Sequence, residues 1–421
     1  MRPIAFALGL ALVLAPGLVP VSEAGLLGAS GGGTLLVGYS PGALTPVTGL
    51  VASLGGSITG SSPELSVLRA DVPDVSAALL ALQLSPLVAF AERDGQAVLT
   101  GAEWNGAEWN VVDENGAEWN GAEWNGQGSS ALPDPGIPLQ WGLVAADVPP
   151  AWAVTTGHRA APLCVVDSGV DLSHPDLAAN LWTGPSGEHG VNLLSPGSPP
   201  QDDAGHGTHV AGIAAAVVGN QWGVAGVGNE PIMAVKVLDS TGHGRESDVA
   251  FGLVWCATHG AKVALLALSA DGTTTLKRAL AFASDHDVLV VASAGNKGPC
   301  AGCVSFPASD PHVLAVGAIS PSRTLAPFSS SGPQVALAAP GVDITSTFAG
   351  GLYATGSGTS QAAAWVAGAA ALARDAGPGL SAQATRDDLV SHAVDLGPKG
   401  PDPLYGAGLL DVRAAVAAAS G

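Results

Sequence analysis

Five near-continuous apolar runs constrain the fold most: LCVVD (163–167), MAVKVL (233–238), KVALLAL (262–268), DVLVVAS (287–293) and HVLAVGA (312–318). None alternates apolar with polar residues, so a strand built from any of them must be covered on both faces, as in a parallel sheet. The segments between them, 206–218, 247–259 and 360–374 among others, are rich in Ala and carry a helical period. Strand and helix in this alternation predict an α/β domain over residues 131–421, a doubly wound, mostly parallel sheet with helices on both faces. In such domains functional groups gather at strand ends and helix starts.

The chain has 421 residues, enough for two or three units with a large core. Residues 1–24 read as a secretory signal peptide: Arg2, an apolar run from Ile4 to Val21, then the small-x-small pattern Ser22-Glu23-Ala24. Elsewhere no stretch of 18 residues is apolar and free of charge, Gly and Pro, so the expectation is an exported, soluble protein without a membrane span. Net charge is −20, from 35 acidic against 15 basic residues, which argues against nucleic-acid or anionic-membrane partners. The chain is expected to be a monomer, with no accessory domain or anchor at its C-terminal end.

Upstream, residues 34–99 hold the strand-like runs TLLVGY, SVLRADV and LVAFAER around helical patterns at 43–54 and 74–84, a βαββαβ-like small module. Residues 100–130 form a separate segment in which GAEWN occurs four times, with VVDEN at 111–115 as a degenerate copy in the middle. A period of five fits neither a helix nor a strand, so this segment reads as a cleavable linker. A sharper reading makes Trp104, Trp109, Trp119 and Trp124 a stacking array for a glycan or for the chain's own surface.

Four motifs carry chemistry, VVDSGVD (165–171), GHGTHVAG (205–212), ASAGN (292–296) and GSGTSQAAAWVAG (356–368). They place Asp167, His206, Asn296 and Ser360 in chain order. A hydroxyl nucleophile, an imidazole base, a carboxylate to hold the imidazole and an amide donor for an oxyanion are what acyl transfer requires. The order Asp, His, Ser is the one known from subtilisin, and by these residues the chain resembles the subtilisin-like serine proteases (subtilases). His209, three residues after His206, reads as a structural histidine, since no zincin glutamate accompanies the pair.

The resemblance implies a secreted serine endopeptidase acting on polypeptides through an acyl-enzyme, with Asp167, His206 and Ser360 as triad and Asn296 in the oxyanion hole. It also implies that SLGGSI (53–58) and LSPLVAFAERDGQAVL (84–99) belong to an inhibitor-like propeptide, cut by the enzyme itself between about residue 97 and 133. Substrate would pair with DSTGHG (239–244), through Gly242 and Gly244, and with ALSADG (267–272), through Leu268 and Ser269. Leu265, Ala267 and Ser269 depart from the family pattern, as do Gln361 to Trp365 after the nucleophile, and a side chain at 269 should reshape the specificity pocket. Asp134, Asp176 and Asn220 match positions that supply oxygen to a structural calcium in many subtilases. The rival reading is a catalytically degenerate binding protein on the same scaffold, using the Trp repeats.

Cys300 and Cys303 are expected to bridge within the GPCAGC loop, with half of a zinc site as the alternative. Cys164 and Cys256, one in a strand-like run and one in a helical pattern, are expected to be buried free thiols.

Overall fold

The computed structural model describes residues 31–99, 110–112 and 134–420. Residues 1–24, expected to be a signal peptide, and the repeats other than 110–112, with Trp104, Trp109, Trp119 and Trp124, lie outside the described residues.

The N-terminal module runs β1 (Gly33–Tyr39), α1 (Leu44–Ser53), β2 (Ser57–Ser62), β3 (Val67–Val72), α2 (Val75–Gln83) and β4 (Val88–Arg93). Its sheet is antiparallel in the order β2-β3-β1-β4. The unbroken apolar run in β1 has a reason: Leu35 and Val37 enter the module's own core under α1 and α2, while Leu36 faces the large domain. β5 (Gln96–Leu99) leaves the module and pairs elsewhere, so the run 84–99 is two strands with different partners. β6 (Asn110–Val112) lies in the repeat segment.

The large domain opens with two short helices, α3 (Trp141–Ala145) and α4 (Val148–Ala151), and continues β7 (Leu163–Asp167), β8 (Gly190–Asn192), α5 (His206–Ala215), β9 (Ile232–Lys236) and β10 (His243–Arg245). Then come α6 (Glu246–Thr258), β11 (Val263–Leu266), β12 (Leu268–Ala270), α7 (Thr274–Asp285), β13 (Leu289–Ser293), β14 (Val313–Ile319) and β15 (Val335–Pro340). β16 (Ile344–Phe348), β17 (Leu352–Gly356), α8 (Thr359–Ala376), α9 (Ala382–Ser391) and α10 (Val412–Ala419) complete it. A seven-stranded parallel sheet, β15-β14-β13-β11-β7-β9-β8, forms the centre. The five apolar runs are its β7, β9, β11, β13 and β14, and the doubly wound expectation holds.

Along β7, Leu163 and Val165 pack into a core shared with α5, α8 and α10, while Cys164 and Val166 pack into the opposite core, against α6 and α7. Trp365 is wholly buried in the first core, where a Cβ on Gly142 would lie 2.6 Å from its ring. The two cores also correct the cysteine reading. Cys164 faces α6 and is bonded to Cys256 across 92 residues, so neither is a free thiol. Cys300 bonds Cys303 as expected, which removes both as zinc ligands. Among the described residues no helix is long and apolar enough to cross a membrane.

The module sits on the N-terminal ends of α6 and α7. Glu92 accepts from the backbone N–H groups of Thr274 and Thr275, both at 2.9 Å, and Asp94 accepts from the Ser247 N–H at 3.1 Å and its hydroxyl at 2.6 Å. Each carboxylate supplies an acceptor to orphan helix donors at the positive end of a helix dipole. Arg69 adds an ion pair with Asp248 and a bond to the Ser247 hydroxyl at 3.0 Å.

Candidate active site

Asp167 closes β7 and His206 opens α5, which brings a strand end against a helix start. The His206 Nδ1 stands 2.9 and 3.0 Å from the two Asp167 carboxylate oxygens, and both side chains are buried. Gly207 permits that approach: a Cβ there would fall 2.0 Å from the Gly169 carbonyl oxygen. Sequence reasoning missed the group that locks the two segments together, Asp202. One carboxylate oxygen accepts from the Ser168 hydroxyl at 2.8 Å and the Gly205 N–H at 2.9 Å, the other from the Thr208 N–H at 2.9 Å and its hydroxyl at 2.6 Å. Lys236 was missed as well; its buried ammonium donates to the Ser168 carbonyl at 2.6 Å and to Asp203 at 2.6 Å. A lysine inside the apolar run MAVKVL was the available signal, because a buried charge needs partners.

Ser360 is the second residue of α8, and its hydroxyl donates to the Ala267 carbonyl at 3.2 Å. Asn296 follows β13, and its Oδ1 accepts from the Thr359 N–H and hydroxyl, both at 3.0 Å. These bonds orient the carboxamide with its donor group on the far side from Thr359. His209 is structural in geometry: Nε2 donates to the Ala354 carbonyl at 3.1 Å, and Nδ1 faces the Gln361 amide at 3.4 Å. Burial, aided by the charge of His206, pushes its pKa down to about 3, so it stays neutral. Gln361, one of the departures after the nucleophile, thus supplies a partner to this imidazole.

The two segments expected to hold substrate are occupied by the chain itself. β5 lies between β10 and β12, antiparallel to both, with Val98 opposite His243 and Ser269, Leu99 opposite Leu268, and Ala97 opposite Gly244. The Leu99 N–H donates to the Gly242 carbonyl at 3.0 Å. Gly242 has φ +78°, and a Cβ there would meet the Leu99 side chain at 2.7 Å, so both its conformation and the close approach require glycine. Since Ala267 touches Ser360 and Leu268 faces Leu99, β5 runs with its C-terminal end toward the Ser360 hydroxyl.

Asp134, Asp176 and Asn220 also come together. Asn220 Nδ2 donates to Asp176 at 2.7 Å, Asp134 accepts from the Gly219 and Gln221 N–H groups at 2.7 and 3.1 Å, and Tyr353 donates to Asp176 at 3.2 Å. Burial, with the nearby charge of Asp134, pushes Asp176 up to about 7. Among the described residues no group of three or more His, Cys, Asp or Glu is placed to hold a metal. Two buried carboxylates and a carboxamide, to which no Lys or Arg is bonded among the described residues, are nonetheless a donor set and a charge that suit a hard cation.

Residues 159–408 match the subtilase family. The chain belongs to that family. It is 44% identical over 224 residues to a thermophilic serine proteinase of Bacillus sp. (strain AK1), covering 53% of this chain and 54% of that one, so the match spans about half of that relative. It is 40% identical over 278 residues to Subtilisin Savinase of Lederbergia lenta, covering 65% of this chain and 97% of that relative. In solved structures it resembles fervidolysin from Fervidobacterium pennivorans, a keratinolytic enzyme related to subtilisin, with TM-score 0.74 and 28% identity over 92% of this chain and 61% of that one.

Proposed function

We propose that this subtilase is a secreted serine endopeptidase, made as a precursor that cuts itself just beyond β5. The observation that carries the reading is β5, an extended segment of the same chain held between β10 and β12 and directed at Ser360. In the proposed reaction the Ser360 oxygen attacks the scissile carbonyl carbon and its proton passes to His206 Nε2. Asp167, bonded to Nδ1, fixes the tautomer and stabilises the imidazolium. The Ser360 N–H and the Asn296 carboxamide donate to the oxyanion; loss of one such donor costs about 10² to 10³ in rate in subtilisin, the known case. His206 then protonates the departing amine, and water, deprotonated by the same imidazole, releases the acyl group.

Intact mass of the wild type and of Ser360→Ala, with a fluorophosphonate label on the wild type, tests this. A wild type that shortens to a product beginning just after Leu99 and takes the label at Ser360, beside a full-length mutant, supports it. Two full-length, unlabelled proteins at neutral pH overturn it and favour the binding-protein reading. A general base acts only when unprotonated, so activity should fall as the medium is acidified and the imidazole takes up its proton; a flat profile from about pH 4 to 8 excludes His206 from that role.

Asp134, Asp176 and Asn220 would hold calcium, which would neutralise the buried carboxylates and tie the 217–228 loop to β17 through Tyr353. Chelation is then expected to lower Tm by several degrees, about 5 °C or more, in the wild type and by less in Asp176→Asn. Equal melting with and without chelator removes calcium from the account.

A further inference from the structure

We propose that Asn110–Val112 is a second inhibitory strand, built into the repeat segment and docked on the edge of β17, where it covers the leaving-group side of the cleft. This rests on the peptidase reading above, since it needs a scissile bond at Ser360.

Three observations carry it. β6 pairs antiparallel with β17, Asn110 opposite Thr355, Val111 opposite Ala354 and Val112 opposite Tyr353. β17 ends at Gly356 and runs toward Ser360, so β6 runs away from it. β5 has the opposite sense and approaches Ser360 from the other sheet. An extended polypeptide threaded past the nucleophile must arrive in one direction and depart in the other, and the chain's two added strands have those two senses.

The sequence breaks its own repeat at this place. Where the other four units begin Gly-Ala, this one begins Val111-Val112, replacing poor strand formers by a β-branched pair. Gly and Ala favour a sheet edge poorly, whereas the Val111-Val112 pair that follows Asn110 favours it. The receiving hairpin is anchored to the site. Ala354 accepts from His209, the Ser346 hydroxyl donates to the His209 carbonyl at 2.8 Å, and the Thr347 hydroxyl donates to the Thr208 carbonyl at 2.8 Å. An occupied edge at β17 is therefore tied through β16 to the helix that carries His206. With β6 in place the two-stranded hairpin β16–β17 becomes a three-stranded sheet, and its edge is closed to other extended chains.

A separate substrate chain that continues well beyond the cut must displace β6, whereas one that ends at the cut need not. The full-length Ser360→Ala chain tests the docking without any dependence on catalysis. Val111→Pro, which removes a backbone donor, and the double change Val111→Gly with Val112→Ala, which restores the repeat, should each speed amide exchange in the segment 352–356 about tenfold. Unchanged exchange in both variants overturns the proposal. In the active chain, assayed while its mass shows residues 110–112 still attached, the same variants should raise cleavage of a quenched peptide extending several residues past the cut by about tenfold relative to a peptide anilide. An unchanged ratio also overturns it. If neither substrate is cleaved, the peptidase reading fails, and the exchange result still decides whether β6 docks.

Discussion

β5 and β6 are both short strands that the chain adds to its large domain, yet they are held in different ways. β5 has a partner on each side and follows Arg93, the end of β4, by three residues, so the folded module delivers it to the cleft already ordered. That module is fixed independently by Glu92 and Asp94 on two helix starts and by Arg69 on Asp248. Among the described residues β6 has one partner, and it spans three residues in a segment of repeats rich in Gly and Asn. The two strands make the same kind of backbone bond, but the entropy of ordering β5 is shared with a folded domain, while β6 must meet that cost locally. Strand addition is thus strong or weak according to what stands behind the strand.

The largest effect that would test this contrast is on self-processing. Val98→Pro removes a donor from a strand paired on both sides and should slow cleavage by roughly a hundredfold, whereas Val111→Pro should leave the rate within about twofold. A time course of intact mass reads both, and equal slowing would erase the distinction between the strands. Next in size are the caps. Glu92→Ala and Asp94→Ala should each weaken the seated module by about 1 kcal/mol, releasing it about fivefold faster once the cut is made. If neither variant changes the release rate, β5 alone holds the module.

The smallest effect is that of pH. Burial raises Asp94 and Asp248 above the ordinary 3.8, against the lowering influence of their hydrogen bonds and of Arg69. A carboxyl raised in the seated state binds its proton more tightly there than when released, so seating strengthens as pH falls through the raised value and gains nothing more below 3.8. Release should therefore slow as the pH is lowered from 7 toward 4, and acceleration over that range would contradict the burial of these groups. β6, paired through its backbone, should show no such trend in the exchange of β17 once intrinsic exchange is corrected for pH.

What could be read from the residues alone follows the range of the forces involved. The central strands were legible because covering both faces of β7, β11 or β13 demands an apolar residue at every position. α5, α6 and α8 were legible through their Ala-rich period. The three-residue strands β8, β10 and β12 were not, since each exists only through its neighbour. The four chemical positions stood out because Gly169, Gly205, Gly207, Gly295 and Gly358 lie within two residues of them and shape short motifs. Asp202 carried no comparable mark; its importance lies in the Ser168 hydroxyl 34 residues away. Glu92 and Asp94 escaped the capping rules because they cap helices more than 150 residues distant. The Cys164–Cys256 pairing was hidden for the same reason, two apolar contexts in one chain being silent about which face of the sheet each will meet.

That pairing dictates an order of events in production. Both cysteines have no exposed surface in the folded domain, one on the strand that ends at Asp167 and the other on the helix whose start Asp94 covers. Oxidants meet them only through opening of the closed domain, so the bond is expected to form while the chain is still open. A host compartment that keeps thiols reduced is expected to yield a domain with two sulfhydryls in place of its covalent tie between β7 and α6, and air oxidation after purification is expected to restore the bond slowly unless the domain is first unfolded.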